Sequence, residues 1–109
     1  MAGSQPWSPA DATSEINAIA NSPNLRLTYS KHAREQMTER DLIASDVMFV
    51  LKRGFVLEPA EASTQTGLFK YCPQSRSPNS GNRTVRVVAI PDAKACWIKV
   101  VTVMWVDRP

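Results

Sequence analysis

Histidine and cysteine are scarce in this chain: one histidine, His32, and two cysteines, Cys72 and Cys96, among 109 residues. Neither cysteine has a second Cys or a His at ligand spacing, which excludes a zinc knuckle, and two thiols make no disulfide framework. Both fall in stretches that read as strands, where a free thiol serves as a small buried hydrophobe. No Gly-rich phosphate loop, serine-nucleophile elbow or carboxylate pair occurs. An enzymatic reading is thereby narrowed to chemistry run by cationic side chains and one imidazole. Long apolar runs are also missing. The longest, Val100 to Val106, is interrupted by Thr102 and is far too short to span a bilayer. The first residues lack the basic and apolar segments of a secretory signal. Together these absences predict a cytoplasmic protein with no metal, no cofactor and no membrane partner.

What is present is ordinary globular material. At 43% hydrophobic and 21% charged residues the chain can bury a core of its own. Thirteen Lys and Arg against ten Asp and Glu leave a formal charge of +3. That excess permits an acidic partner such as nucleic acid or an acidic protein without requiring one.

The spacing predicts two parts. Residues 1–24 form an N-terminal extension, poorly ordered from Met1 to Pro9 apart from Trp7, which is able to dock on the body. A short helix follows from Ala10 to Asn21, with Ile16 and Ile19 on its apolar stripe. Residues 25–109 form a single α+β domain. Leu25, Leu27 and Tyr29 alternate with Arg26 and Thr28 as a short strand. Ser30 then suits the N-cap of a largely polar helix whose apolar edge is Ala33 and Met37. A third helix runs from Ser45, as N-cap, to Gly54, read as a left-handed residue at its end. Val47, Val50 and Leu51 form its core face, while Glu35, Glu39 and Asp46 read as solvated charges.

After Gly54 the hydrophobic period falls towards 2. Strands are expected at Phe55 to Glu58, Leu68 to Cys72, Thr84 to Ile90 and Ala95 to Val106, with a polar loop from Pro73 to Asn82. The fold class is therefore α+β, with N-terminal helices packed on a four- or five-stranded, mostly antiparallel sheet.

Two sets of residues can carry chemistry. His32, Gln36 and Arg40 stand at i, i+4 and i+8 along one helix face. A histidine can act as general acid or base and an arginine fork suits phosphate, although a histidine near a helix start equally serves packing. On the strands, Arg86 interrupts Val85 and Val87, and Lys99 lies between Ile98 and Val100. Alternation puts Lys99 on the side of Trp97 and Val101, with Thr102 opposite alongside Ile98 and Met104. A face carrying Tyr71, Arg86 and Lys99 would suit a polyanion, with an aromatic ring stacking on a base.

The pattern Leu27-Thr28-Tyr29-Ser30-Lys31-His32-Ala33-Arg34-Glu35-Gln36-Met37-Thr38-Glu39-Arg40-Asp41-Leu42, followed by Ser45-Asp46-Val47 and Leu51-Lys52-Arg53-Gly54, resembles a family of small bacterial domains of unknown function. That family is grouped with BrnT-like and RelE-like toxins, whose fold is similar to barnase and the colicin nuclease domains. The resemblance covers residues 26 to 106; Gln36 stands where the family pattern has Arg. It implies a toxin-like, metal-independent endoribonuclease held inactive by a small antitoxin protein. On that reading His32 is the acid or base, Arg40 and Arg86 hold the scissile phosphate, and Lys99 or Tyr71 assists. The alternative is a non-catalytic protein- or RNA-binding module of the same fold.

Overall fold

The change of period after Gly54 becomes a change of layer, with three helices on one face of a five-stranded sheet. A computed structural model describes residues 3–78, 81 and 83–106. In chain order the elements are α1 (Pro9–Ala20), β1 (Arg26–Tyr29), α2 (Lys31–Glu39), α3 (Ala44–Arg53), β2 (Phe55–Val56), β3 (Glu61–Ala62), β4 (Phe69–Lys70), β5 (Pro73–Arg76), β6 (Thr84–Asp92) and β7 (Trp97–Trp105). The sheet order is β1-β7-β6-β5-β2, and β3 and β4 form a separate hairpin. Only the β1–β7 pair is parallel; β7–β6, β6–β5 and β5–β2 are antiparallel. This is the mostly antiparallel α+β arrangement expected.

The core lies between the helices and the inner sheet face. Val85, Val87 and Ala89 of β6 and Ile98, Val100 and Val103 of β7 meet Ile16, Ala33, Val47, Val50 and Leu51 from the three helices. All of these are fully buried. The amphipathic spacing of α3 explains its place: Val47, Val50 and Leu51 fall on one side, as i, i+3 and i+4 must. Asp46 departs from expectation. Only 2% exposed, its carboxylate accepts from the Ile43 N–H at 3.0 Å and from the Ser77 hydroxyl. Ile43 therefore precedes the helix and Asp46 ties back from its first turn, while Ser45 lies inside.

Gly54 also serves a purpose other than the one expected. Its backbone is extended (φ −76°, ψ 170°) rather than left-handed. A Cβ there would collide with the Val50 carbonyl oxygen and stand 3.0 Å from that of Gln74. Glycine is needed for close approach of α3 to β5, not for a turn.

The N-terminal residues are bound into the same core. Trp7 is 6% exposed and stacks on Tyr71 with ring centroids 5.5 Å apart. The Trp7 N–H donates to the Tyr71 hydroxyl at 2.9 Å. Gln5 bridges two strands: its Oε1 accepts from the Phe69 N–H and its Nε2 donates to the Pro91 carbonyl, each at 2.9 Å. The segment from Gly3 to Pro9 is thus a strap held by backbone partners in the sheet. The rest of the poorly ordered stretch expected, Met1 and Ala2, lies outside the described residues.

Part of the expected polar loop is strand. Pro73 to Arg76 forms β5, inserted between β6 and β2. Proline at its first residue costs the ladder no hydrogen bond inside the strand. Residues 79, 80 and 82 of that loop lie outside the described residues. Neither cysteine lies in a strand or is fully buried as expected: Cys72 falls between Tyr71 and β5, and Cys96 sits with φ +51° in the turn between β6 and β7, both half-buried.

Candidate functional site

The stripe His32-Gln36-Arg40 faces the place where the sheet runs out of strand. β1 pairs with β7 only as far as Tyr29↔Val100, whereas β7 continues to Trp105. Backbone groups on that β7 edge need partners, because an unpaired buried N–H or C=O is costly. The residues around α2 supply them. The Ser30 N–H donates to the Val100 carbonyl and its hydroxyl to the Val101 carbonyl, both at 2.9 Å. The same hydroxyl accepts from the Ala33 N–H at 3.0 Å, the N-cap contact expected of it. Gln36 Oε1 accepts from the Val103 N–H at 3.0 Å, and Arg40 Nη1 donates to the Val103 carbonyl at 2.7 Å. Trp105 Nε1 closes the series by donating to the Arg40 carbonyl at 2.9 Å.

Gln36 and Arg40 therefore stand in for the strand residue that would otherwise pair with Val103. Arg40 is half-buried and directed at a backbone carbonyl, not at a cleft. His32 is exposed, and its Nε2 lies 2.9 Å from Gln36 Nε2. Since the Gln36 oxygen already holds Val103, its amide nitrogen faces the imidazole and donates, so His32 Nε2 accepts. Among the described residues no carboxylate orients the ring and no hydrogen bond joins His32 to Arg40, Arg86, Lys99 or Tyr71.

The strand residues separate by face. Tyr71 pairs with Ala89 and is buried on the inner face at 1% exposed, its hydroxyl taken by Trp7 and Gln5. Burial raises its pKa, partly offset by the hydrogen bond from Trp7. Arg86 and Lys99 lie on the outer face, so the expected trio of Tyr71, Arg86 and Lys99 does not assemble. Arg86 crosses to its β5 partner and donates to Gln74 Oε1 from Nε at 3.1 Å and Nη2 at 2.9 Å.

The outer-face aromatic nearest Lys99 in sequence is Trp97, whose Nε1 donates to Thr28 Oγ1 at 2.9 Å; Phe55, opposite Gln74 on β2, is exposed on the same face. A β-bulge decides the rest. Val88 pairs with Thr102 but Ala89 with Val100, leaving Val101 unopposed. The extra residue reverses the alternation, so Thr102 and Met104 join Lys99 on the outer face while Val103 enters the core. The strict alternation expected for β7 placed Thr102 on the side of Ile98; the bulge is why it is not there.

Lys99 belongs to a cleft. Ile90 pairs with Lys99, which pairs in turn with Thr28. One step beyond the Tyr71–Ala89 bridge, Lys70 takes the place on the other side of Ile90. The β3–β4 hairpin folds over this row, so that Ile90 is only 4% exposed although it lies outside the main core cluster. The resulting cavity of about 290 Å³ is lined by Ser30, Ala62, Ser63, Thr64, Lys70, Ile90, Lys99 and Val101. Lys70 and Lys99 are half-buried and have neither an ion pair nor a hydrogen bond among the described residues. Lys70 escapes notice in the sequence because it sits in a two-residue strand. The signal that could have found it is parity, with Phe69, Tyr71 and Pro73 inward and Lys70, Cys72 and Gln74 outward.

Cys72 lies on the same face. Burial pushes its thiol up, and the nearby Glu61 and Glu58 carboxylates add to this against Arg86 and Lys70. A thiol held protonated is a poor nucleophile. No group of three or more His, Cys, Asp or Glu among the described residues is placed to hold a metal ion. No helix among them is long and apolar enough to cross a membrane.

Fold and site together define a small α+β domain with a helix-capped sheet edge and a cationic cleft on the opposite, helix-free face. The chain belongs to the family described as a domain of unknown function, DUF4258, whose pattern covers residues 29–105. No curated protein and no solved structure matches it significantly.

Proposed function

We propose that this domain is a non-catalytic module that binds single-stranded RNA across the outer face of its sheet. The observation that carries this reading is the pair of lysines, Lys70 and Lys99, that line one cleft without an ion pair or hydrogen bond among the described residues, with Trp97 two residues from Lys99 on the same face. Ammonium groups without internal partners are free to neutralise phosphates, and an indole offers a stacking platform that tolerates any base. Arg26 and Arg76 extend positive charge over the face, against Asp92 and Glu61. The grouping of the family that the α2 pattern resembles with BrnT-like and RelE-like toxins is in keeping with the same class of partner. On this proposal the domain works in the cytoplasm, and a small antitoxin protein would compete for the face.

Fluorescence anisotropy with a mixed-sequence single-stranded RNA tests the reading. Affinity should fall steeply between 50 and 200 mM salt. Gel analysis of the same mixture in EDTA should show intact RNA. Absence of binding at low salt would sink the proposal.

A toxin-like endoribonuclease is the second reading, favoured by one observation. The exposed imidazole of His32 stands in the first turn of α2, and Ser30, the cap of that helix, lines the cleft. Here His32 would move the proton and Lys99 would steady the phosphate, while Arg40 and Tyr71 stay occupied as described. RNA cleavage in EDTA, lost in a folded His32→Ala variant, would establish this second reading over the first.

A further inference from the structure

We infer that the cleft between the β3–β4 hairpin and the sheet is a subsite for one nucleotide, with its phosphate held between Lys70 and Lys99. This inference rests on the proposal that the outer face binds RNA, and it adds where and how one unit of the chain is held.

The geometry begins with register. Lys70, Ile90 and Lys99 occupy one transverse row on three neighbouring strands. Strands lie about 4.8 Å apart, so the two lysine backbones are roughly 10 Å apart. Two flexible four-carbon stems reach across that gap and converge on a single anion above Ile90. Among the described residues neither ammonium has an ion pair or a hydrogen bond, although Glu61 stands opposite Lys70 in the β3–β4 ladder, and both lysines are half-buried, so much of their desolvation precedes binding.

The remaining lining suits the non-phosphate part of a nucleotide. Ile90, Val101 and Ala62 give an apolar floor and flank, and Thr64 brings an exposed hydroxyl with no hydrogen bond among the described residues. The Ser30 and Ser63 hydroxyls are already used, by Val101 and Ala33 in one case and by Gln65 and Leu68 in the other. They shape the wall without offering a free donor. At about 290 Å³ the cavity stands at the small end of ligand sites, about 300 to 1,000 Å³. Such a volume suits one nucleotide unit and is too small for a folded element of a protein partner. The two cations and apolar floor together match an amphiphilic anion better than a bare ion.

Uridine monophosphate, uridine and inorganic phosphate are the probes, titrated into the full chain and followed by amide chemical shifts. Uridine monophosphate should shift the amides of Ser63, Thr64, Lys70 and Lys99, and uridine should leave them in place. Inorganic phosphate should shift the two lysines more weakly than the nucleotide does. Lys70→Gln and Lys99→Gln should each weaken the nucleotide at least fivefold, whereas Lys94→Gln, on the β6–β7 turn, should not. Circular dichroism of each variant confirms the fold.

Short RNAs with a 5′-phosphate, a 3′-phosphate or neither then locate the source of the group. Preference for a phosphorylated end identifies a terminal phosphate; equal binding of all three with equal loss in the lysine variants identifies a backbone phosphodiester. The inference is overturned if uridine shifts the same amides as its phosphate, or if the lysine variants bind the nucleotide as wild type does. RNA binding that survives both lysine substitutions refutes the cleft and leaves the RNA proposal standing. Nucleotide binding with no RNA binding refutes the RNA proposal and leaves the cleft.

Discussion

The two ends of Ser30 belong to two different regions. On one side its backbone and hydroxyl begin the run of contacts through which α2 seals the β7 edge. On the other it lines the hairpin cleft, where Lys70 and Lys99 have neither an ion pair nor a hydrogen bond among the described residues. In the first region Ser30, Gln36, Arg40 and Trp105 are each hydrogen-bonded to a backbone group at 2.7 to 3.0 Å. The second is under-occupied. A polar side chain that is fully paired internally has little left for a ligand, whereas one held half-buried and unpaired does. The comparison teaches that the motif-like helix is scaffold first, and that binding capacity lies on less conspicuous residues.

The strongest way to break that contrast is at Gln36. Gln36→Leu leaves the buried Val103 N–H without an acceptor and should cost about 1–3 kcal/mol. Arg40→Met keeps the apolar stem and loses the bond to the Val103 carbonyl, at about 1.5 kcal/mol given its partial exposure. Chemical denaturation measures both, and RNA affinity per folded molecule should not change. If either variant unfolds at the wild-type denaturant concentration, the edge-sealing role is wrong.

The cleft should respond in the opposite way. The double variant Lys70→Gln/Lys99→Gln should lose about tenfold in RNA affinity and lower the salt slope by about 1, since both lysines hold one phosphate. Its stability should stay within about 0.5 kcal/mol of wild type, as for surface changes that remove no internal contact. A large loss of stability would show that these lysines are structural after all.

Alkaline pH sharpens the comparison through groups buried around both regions. Burial raises Tyr29, Tyr71 and Cys72 in the folded state. Above the ordinary values of about 9 for the thiol and 10 for the phenols, the unfolded chain releases these protons first. The stability these groups contribute is fully present below those values and is lost as pH rises through the higher folded-state ones. Denaturation midpoints measured from pH 8 to 11 should therefore fall. A flat profile would contradict the burial assigned to them.

The smallest expected effect is a gain. The Tyr29 hydroxyl is buried without a hydrogen-bond partner among the described residues, at the end of β1 just before Ser30. Tyr29→Phe removes that orphan group and should raise stability by up to about 1 kcal/mol, read as a higher Tm. A lower Tm would mean that the hydroxyl has a partner after all.

Much of this architecture is legible in the chain, and the exceptions share a cause. The 3.6 spacing of Val47, Val50 and Leu51 marks α3 because one helix face must be apolar to meet a core. Ser30 marks the start of α2 because its hydroxyl accepts an N–H in the next turn. These are local rules, and they hold. Asp46, Gly54, Gln5 and Trp7 escape such rules because their partners, Ser77, Gln74, Phe69 and Tyr71, are remote in sequence. The bulge at Val101 reverses a whole strand end, and alternation alone contains no sign of it.

The sequence by itself determined an α+β fold with three helices ahead of most of its strands, the capped α2, and which residues could carry charge or a proton. Local periodicity and capping depend on neighbours a few positions away, and those neighbours are written in order along the chain. Tertiary structure alone decided that Gln36 and Arg40 complete a sheet edge, that Tyr71 turns inward, and that Lys70 and Lys99 share a cleft. Each of these depends on strand register and on where β1 stops, which are settled by packing between distant segments.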